Sequence, residues 1–174
     1  MARGVARALG RLTLRLAAVA ALGGAAPAAS PVDALAGRYD REFDNGLVTG
    51  ERFRSGDVVE IVRVGPEAAY VRAALSYFNG HSCSIWGVAT WRAGAFRYDV
   101  PGTGVDARCR LAVRQAGRDL ILDDDGGTCS GYCGARGTLS NVRMPVASRR
   151  PIRYLTRLRA SRQFKEAVAE WRAR

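Results

Sequence analysis

The residues of this chain best equipped for chemistry are its four cysteines, Cys83, Cys109, Cys129 and Cys133, and its one histidine, His81. A histidine two positions from a cysteine can form a nucleophile pair. That pair needs a free thiol and a third group to orient the imidazole, and no such group can be named. A zinc site asks for two close ligand pairs, whereas the chain offers one Cys-x3-Cys and a single imidazole. Oxidation to two disulfides asks only for an even cysteine count. Four cysteines allow three pairings, and the sequence does not select one. Our preference is Cys83–Cys109 with Cys129–Cys133, the second clipping a short loop.

Two further stretches carry polar chemistry. Asp123-Asp124-Asp125-Gly126-Gly127-Thr128 could offer oxygens to calcium, but it lacks the alternating spacing and distal glutamate of an EF-hand loop, so it reads as a solvated hairpin exit. Cys129 to Gly137 is the most distinctive segment. Tyr132 should project from a tight loop and Arg136 should stand at the start of the next strand, a rigid aromatic–arginine pair suited to recognition. The alternative is a purely structural clip. His81 joins this set as a polar residue of the same rim. Trp86 and Trp91 fall on opposite faces of one strand, so one belongs to the core and the other, Trp91, lines a surface patch. No metal, cofactor or catalytic set is expected, and the chain does not read as an enzyme.

The elements that must position these residues are short strands. Ser84–Arg92, Ala95–Pro101, Cys109–Gln115 and Asp119–Asp123 alternate in polarity, and Arg136–Met144 follows the last cysteine. Turns at Ala93-Gly94 and Ala116-Gly117-Arg118 reverse the chain. In such a meander Cys83 and Cys109 both open "up" strands, and Cys129 and Cys133 follow a "down" strand. All four sulfurs therefore gather at one end of the sheet. Upstream, a strand begins near Leu35–Tyr39, and Asp44-Asn45-Gly46 is a hairpin turn signal. Leu47–Phe53 returns, Ser55-Gly56-Asp57 turns again, Val58–Val64 is a third strand, Ala69–Phe78 a fourth, and Asn79-Gly80 turns into His81. The expected fold is all-β with a C-terminal helix: a meander of eight or nine strands closed into a small lipocalin-like barrel with two disulfides.

The 174 residues carry a formal net charge of +11, unevenly spread. Residues 1–28 read as a signal peptide: Arg3, Arg7 and Arg11 form the positive region, Leu12 to Leu22 the apolar region, interrupted by Arg15, and Ala26-Pro27-Ala28 the cleavage site. The apolar run is shorter than the roughly 20 residues of a membrane-spanning helix. Residues 29–148 form the barrel domain, with fourteen arginines against fourteen acids. Residues 149–174 form a basic amphipathic helix. Tyr154, Leu155 and Leu158 share one face, Ser161 caps a second segment, and Phe164, Ala167, Val168 and Trp171 continue at helical spacing. Arg153, Arg157, Arg159, Arg162, Lys165 and Arg172 fill the other side, either as a solvated face or as a contact with an anionic surface. No nucleic-acid motif is present, and nucleic acid is not an expected partner.

A resemblance follows from these motifs. Phe78-Asn79-Gly80-His81-Ser82-Cys83, Gly87-Val88-Ala89, Cys109-Arg110-Leu111, Cys129 to Gly137 and Ile152-Arg153-Tyr154 are together similar to a group of small exported bacterial disulfide-containing proteins. Gly37-Arg38-Tyr39 resembles the Gly-x-aromatic start of lipocalin-like folds. More distantly, the small disulfide-bonded barrel plan resembles periplasmic inhibitors of C-type lysozyme. These resemblances imply export, disulfides and a β-fold, and carry over no functional residue. The expected function is an exported binding module, periplasmic or secreted, that meets a protein or cell-envelope partner through a disulfide-clipped rim, with lysozyme inhibition as one form. The alternative is a lipocalin-like carrier of a small apolar ligand.

Overall fold

Eight segments combine inward-facing apolar residues with outward polar ones, and each is a strand: β1 (Gly37–Gly46), β2 (Arg52–Arg63), β3 (Ala68–Ser76), β4 (Ser82–Arg92), β5 (Ala95–Val100), β6 (Cys109–Ala116), β7 (Asp119–Asp123) and β8 (Val142–Pro145). The computed structural model describes Met1 and residues 30–100 and 108–174. The expected signal segment, Met1 apart, and the expected strand end at Pro101 lie outside the described residues. The strands pair antiparallel in sequence order. A backbone pair between Arg38 and Arg150, 2.9 Å in both directions, nearly closes the sheet into a barrel. Gly37 permits this crossing, because a Cβ there would stand 3.0 Å from the Arg149 side chain and 3.1 Å from the Arg150 carbonyl.

The interior is filled by side chains from every strand, with Tyr39, Val59, Ile85, Phe96, Leu120 and Met144 fully buried. Gly87 is required here: a Cβ on it would stand 2.0 Å from the ring of Tyr98, which lies across it from β5. Burial pushes the Tyr98 hydroxyl well above its ordinary pKa, helped by the Tyr132 hydroxyl beside it. A short helix, α1 (Pro31–Leu35), plugs the end where β1 begins, burying Val32 and Leu35 in the barrel core. Ser30 caps it, accepting from Val32 N at 3.2 Å and donating to the Pro66 carbonyl at 3.1 Å.

The C-terminal segment forms two helices, α2 (Leu155–Ala160) and α3 (Arg162–Arg172), broken at Ser161, whose hydroxyl accepts from Phe164 N at 3.3 Å. Their apolar face covers the outside of β2, β3 and β4: Leu158 and Ala167 join Val62, Tyr70 and Val88 in a second core. A polar latch adjoins it. Glu60, fully buried, lies 3.4 Å from Arg38 and 3.2 Å from Arg72, and the Tyr154 hydroxyl donates to it. Among the described residues no helix is long and apolar enough to cross a membrane.

Tyr70 in this second core is fully buried under the Phe164 ring, 4.9 Å between centroids, and its hydroxyl has no hydrogen-bond partner. Burial first, then the Glu60 carboxylate, push its pKa up to about 12, against the opposing pull of Arg72. A folded pKa above the unfolded value of 10.0 means stability that is complete below pH 10 and is lost as pH rises through 12. That loss amounts to about 2–3 kcal/mol. Tyr70→Phe should abolish this alkaline loss and raise stability near neutrality by about 1 kcal/mol, since an unsatisfied buried hydroxyl is removed. Denaturant midpoints taken across that range check it; a destabilised variant would mean the hydroxyl is satisfied.

Several local expectations are corrected. Asn45-Gly46 is not the hairpin turn: both residues lie in β1, Gly46 faces Arg52, and the turn spans residues 47–51. The Asn45 amide is used elsewhere, donating to Ser55 Oγ and the Tyr77 carbonyl at 3.0 Å each. Ser55-Gly56-Asp57 is not a turn but the middle of β2, held in register against Arg41, Glu42 and Phe43. The return strand expected from Leu47 starts at Arg52. The strand expected over Arg136–Met144 exists only as Val142–Pro145, because the preceding residues are spent crossing the barrel end.

Candidate functional site

The four sulfurs gather at the end where β4 and β6 begin and β7 ends, as strand parity requires. The bridges are Cys83–Cys133 and Cys109–Cys129, with no free cysteine. This overturns the preferred pairing of Cys83 with Cys109 and of Cys129 with Cys133. The reason is spacing: β5 separates β4 from β6, so the openings of those strands stand about 9.6 Å apart, beyond the reach of one disulfide. The loop after β7 closes the gap instead. Thr128 accepts from Arg110 N at 3.1 Å, which sets Cys129 beside Cys109. Gly134 N then donates to the Ser82 carbonyl at 2.8 Å, which sets Cys133 beside Cys83. The two bridges fit an oxidising compartment outside the cytoplasm.

Asp124 organises this loop, and it is not the solvated exit residue expected. It is 1% exposed and accepts from Gly127 N and Cys129 N at 3.1 Å each and from Ser140 Oγ at 2.5 Å. Leu139 from the same loop is fully buried in the barrel core. Among the described residues no group of three or more His, Cys, Asp or Glu side chains could hold a metal ion.

The expected binding residues separate. Tyr132 is half-buried and packs inward on the core, so it does not project from the loop. Arg136 is exposed, in a turn and not at a strand start. His81 is half-buried beside Gly134, where a Cβ would stand 3.2 Å from its Nδ1. Trp91 closes β4 at the far end, roughly 26 Å along the strand from Cys83 at about 3.3 Å per residue. It packs edge-on against Phe96 and the barrel core, 5.0 Å between centroids, and does not contribute to this rim. Trp86 packs with the helices on the outer face.

Three rim residues escaped the sequence reading. Apart from the terminal Met1, the exposed large hydrophobic residues among those described are Val48 (70%), Phe78 (48%) and Phe53 (36%). All three belong to one end. The hairpin tip meets the turn after β3 where Val48 N donates to Asn79 Oδ1 at 3.3 Å. Tyr77 then ties that turn to the disulfide loop, its hydroxyl donating to the Thr138 carbonyl. Beside them is an open cleft of about 400 Å3 lined by Arg41, Phe43, Arg52, Tyr77 and Phe78 among others. Arg41 is held over it by Asp57 at 2.5 Å. Exposed apolar residues, the Arg41–Arg52 cleft and the disulfide loop thus share one end of the barrel, cross-linked through Cys83–Cys133.

Comparison of the chain with protein families, curated proteins and solved structures finds no match.

Proposed function

We propose that this protein is an exported binding module, periplasmic or secreted, which recognises a protein or cell-envelope partner through the disulfide-clipped rim. The observation that carries this reading is the clustering of Val48, Phe53 and Phe78 in water at the one end that is also cross-linked. Exposed apolar groups gathered beside polar ones mark interaction sites, and a rigid loop lowers the ordering cost of binding. His81 and Arg136 supply the polar border. The exposed arginines of α2 and α3 accompany this proposal as a contact with an anionic surface. For the carrier alternative, one void among the described residues, between Val71, Ile85, Tyr98, Leu111 and Val113, has no space for a water molecule and so offers no ligand chamber there.

Inhibition of a C-type lysozyme is the first form to test, with envelope proteins captured on the immobilised chain as the second. Phe78→Ala should weaken binding by about 2 kcal/mol, roughly thirtyfold in Kd. Its melting temperature should not change, because Phe78 contributes little to the core. A partner bound equally by wild type and by a Val48→Ser, Phe53→Ser, Phe78→Ser variant would overturn the rim.

A further inference from the structure

A different feature lies at the opposite end of the barrel, where β4 stops. There the last turn of α3 stands beside the outer face of β4 and β5 and leaves an open cleft of about 500 Å3. Arg92, Arg97, Arg172 and Arg174 line it, with Asp99 as the one carboxylate and Trp171 on the helix side. The cleft continues into another of about 550 Å3 across β5 and β6, which shares Arg92, Arg97 and Asp99 and adds Arg110, Arg114, Asp123 and Asp125, the last paired with Arg110 at 2.5 Å. Arg97 stands opposite Thr90 and Ala112, and Arg92 opposite Ala95. These small neighbours keep the floor low, so the guanidinium groups ring a depression.

Two of the arginines are fixed. Arg92 pairs with Asp99 at 2.5 Å, and Arg174 donates to the Asp99 carbonyl and pairs with Glu170, both at 2.7 Å. Among the described residues, Arg97, Arg172 and Arg114 have no carboxylate within salt-bridge distance. Asp99, Glu170 and Asp125 thus offset Arg92, Arg174 and Arg110, and Asp123, across Ala112 from Arg97, offsets one charge more, so that of Arg97, Arg114 and Arg172 two positive charges remain in excess. A carboxylate brings one charge. A phosphate brings up to two, and its oxygens match the guanidinium fork.

We propose that this groove is a binding site for a phosphate-bearing ligand, with Arg97 and Arg172 holding one phosphate and Arg114 reached by a second. The proposal is independent of the rim, which lies at the other end of β4.

The test is titration with inorganic tripolyphosphate at low salt, followed by Trp fluorescence and calorimetry, alongside binding to vesicles of phosphatidylglycerol and phosphatidylcholine. Arg97→Gln with Arg172→Gln should weaken tripolyphosphate roughly tenfold or more. Neither residue has an ion-pair partner to lose, so folding should be intact. Arg54→Gln with Arg143→Gln, exposed on β2 and β8 and outside the groove, should change affinity by no more than about twofold. Vesicle binding that falls with the groove variant assigns the phosphate to a lipid headgroup; vesicle binding that does not, with tripolyphosphate lost, assigns it to a soluble ligand. Wild-type protein that ignores tripolyphosphate, or equal losses in both variants, overturns the site.

Discussion

Arg38→Ala combined with Arg72→Ala should lower the unfolding free energy by about 3–5 kcal/mol, and should cost more than removing the acid the two arginines serve. Glu60 is fully buried on the outer face of β2, whereas the two arginines are 29% and 36% exposed in their side chains. Deleting the arginines leaves a carboxylate in a dry site with only the Tyr154 hydroxyl as donor. Deleting the acid, by Glu60→Gln, leaves two guanidinium groups that can turn to water, for a loss of about 1–2 kcal/mol. The double variant should melt roughly 10 °C lower. Its α2 and α3 amides should exchange faster than those of the barrel, because Tyr154 anchors the helices to this latch and accepts from Arg38 at 2.7 Å. Chemical denaturation of the three proteins checks the order; a glutamine variant as weak as the double variant would contradict it.

The second large effect concerns the disulfides. Replacing Cys83 and Cys133 by serine should cost about 4 kcal/mol, and replacing Cys109 and Cys129 about 3 kcal/mol, from the loop entropy each bridge removes. The sequence separations are 50 and 20 residues. The smaller loop lies inside the larger one, so the two losses should not sum. Without the outer bridge the segment carrying Leu139 loses its tether to β4, and binding at the rim should weaken as well. Unfolding curves measure the cost. A non-reducing digest should recover residue 83 linked to 133, and a peptide linking 129 to 133 would contradict the pairing.

Much of this architecture was legible in the residues. Alternating polarity and Gly-containing turns give the meander, and strand parity alone brings four cysteines to one end. Their pairing was not legible, because it depends on the width of β5 and on where Thr128 and Gly134 bind the strands they pass. Asn45-Gly46 carries a strong local turn signal, yet long-range bonds to Ser55 and Tyr77 hold it extended. Ser55-Gly56-Asp57 has turn composition, but Asp57 is fixed by Arg41 across the hairpin and by Ser76 N at 2.9 Å. The five residues of α1 are too few to show a period. Tyr132 has the composition of a projecting side chain, and only the stacking of Tyr98 on Gly87 shows that it has a core surface to pack on. Val48 and Phe78 were read as parts of strands, although each sits in a turn, where an apolar residue has no core to enter. That mismatch between residue type and local structure was the available signal.

The hairpin of β1 and β2 reaches past its neighbours. β3 pairs with β2 only over Val58–Arg63, and among the described residues no strand pairs with the outer side of β1 beyond the Arg38 crossing. Ser148 Oγ accepts from Asp40 N at 3.2 Å and Ser76 Oγ donates to the Gly56 carbonyl at 3.2 Å, and beyond these bonds the edges of the arm have no strand partner among the described residues, a pattern that invites edge-to-edge pairing of identical molecules. Glu42, Asp44 and Arg54 stand on it as interlocked charges, with Arg54 2.9 Å from Asp44 and 3.6 Å from Glu42. A second copy laid alongside would have to strip those ions of solvent and set acid against acid. Charge on the arm thus opposes growth by strand addition, and a variant with both acids neutralised should associate more readily than wild type in light scattering.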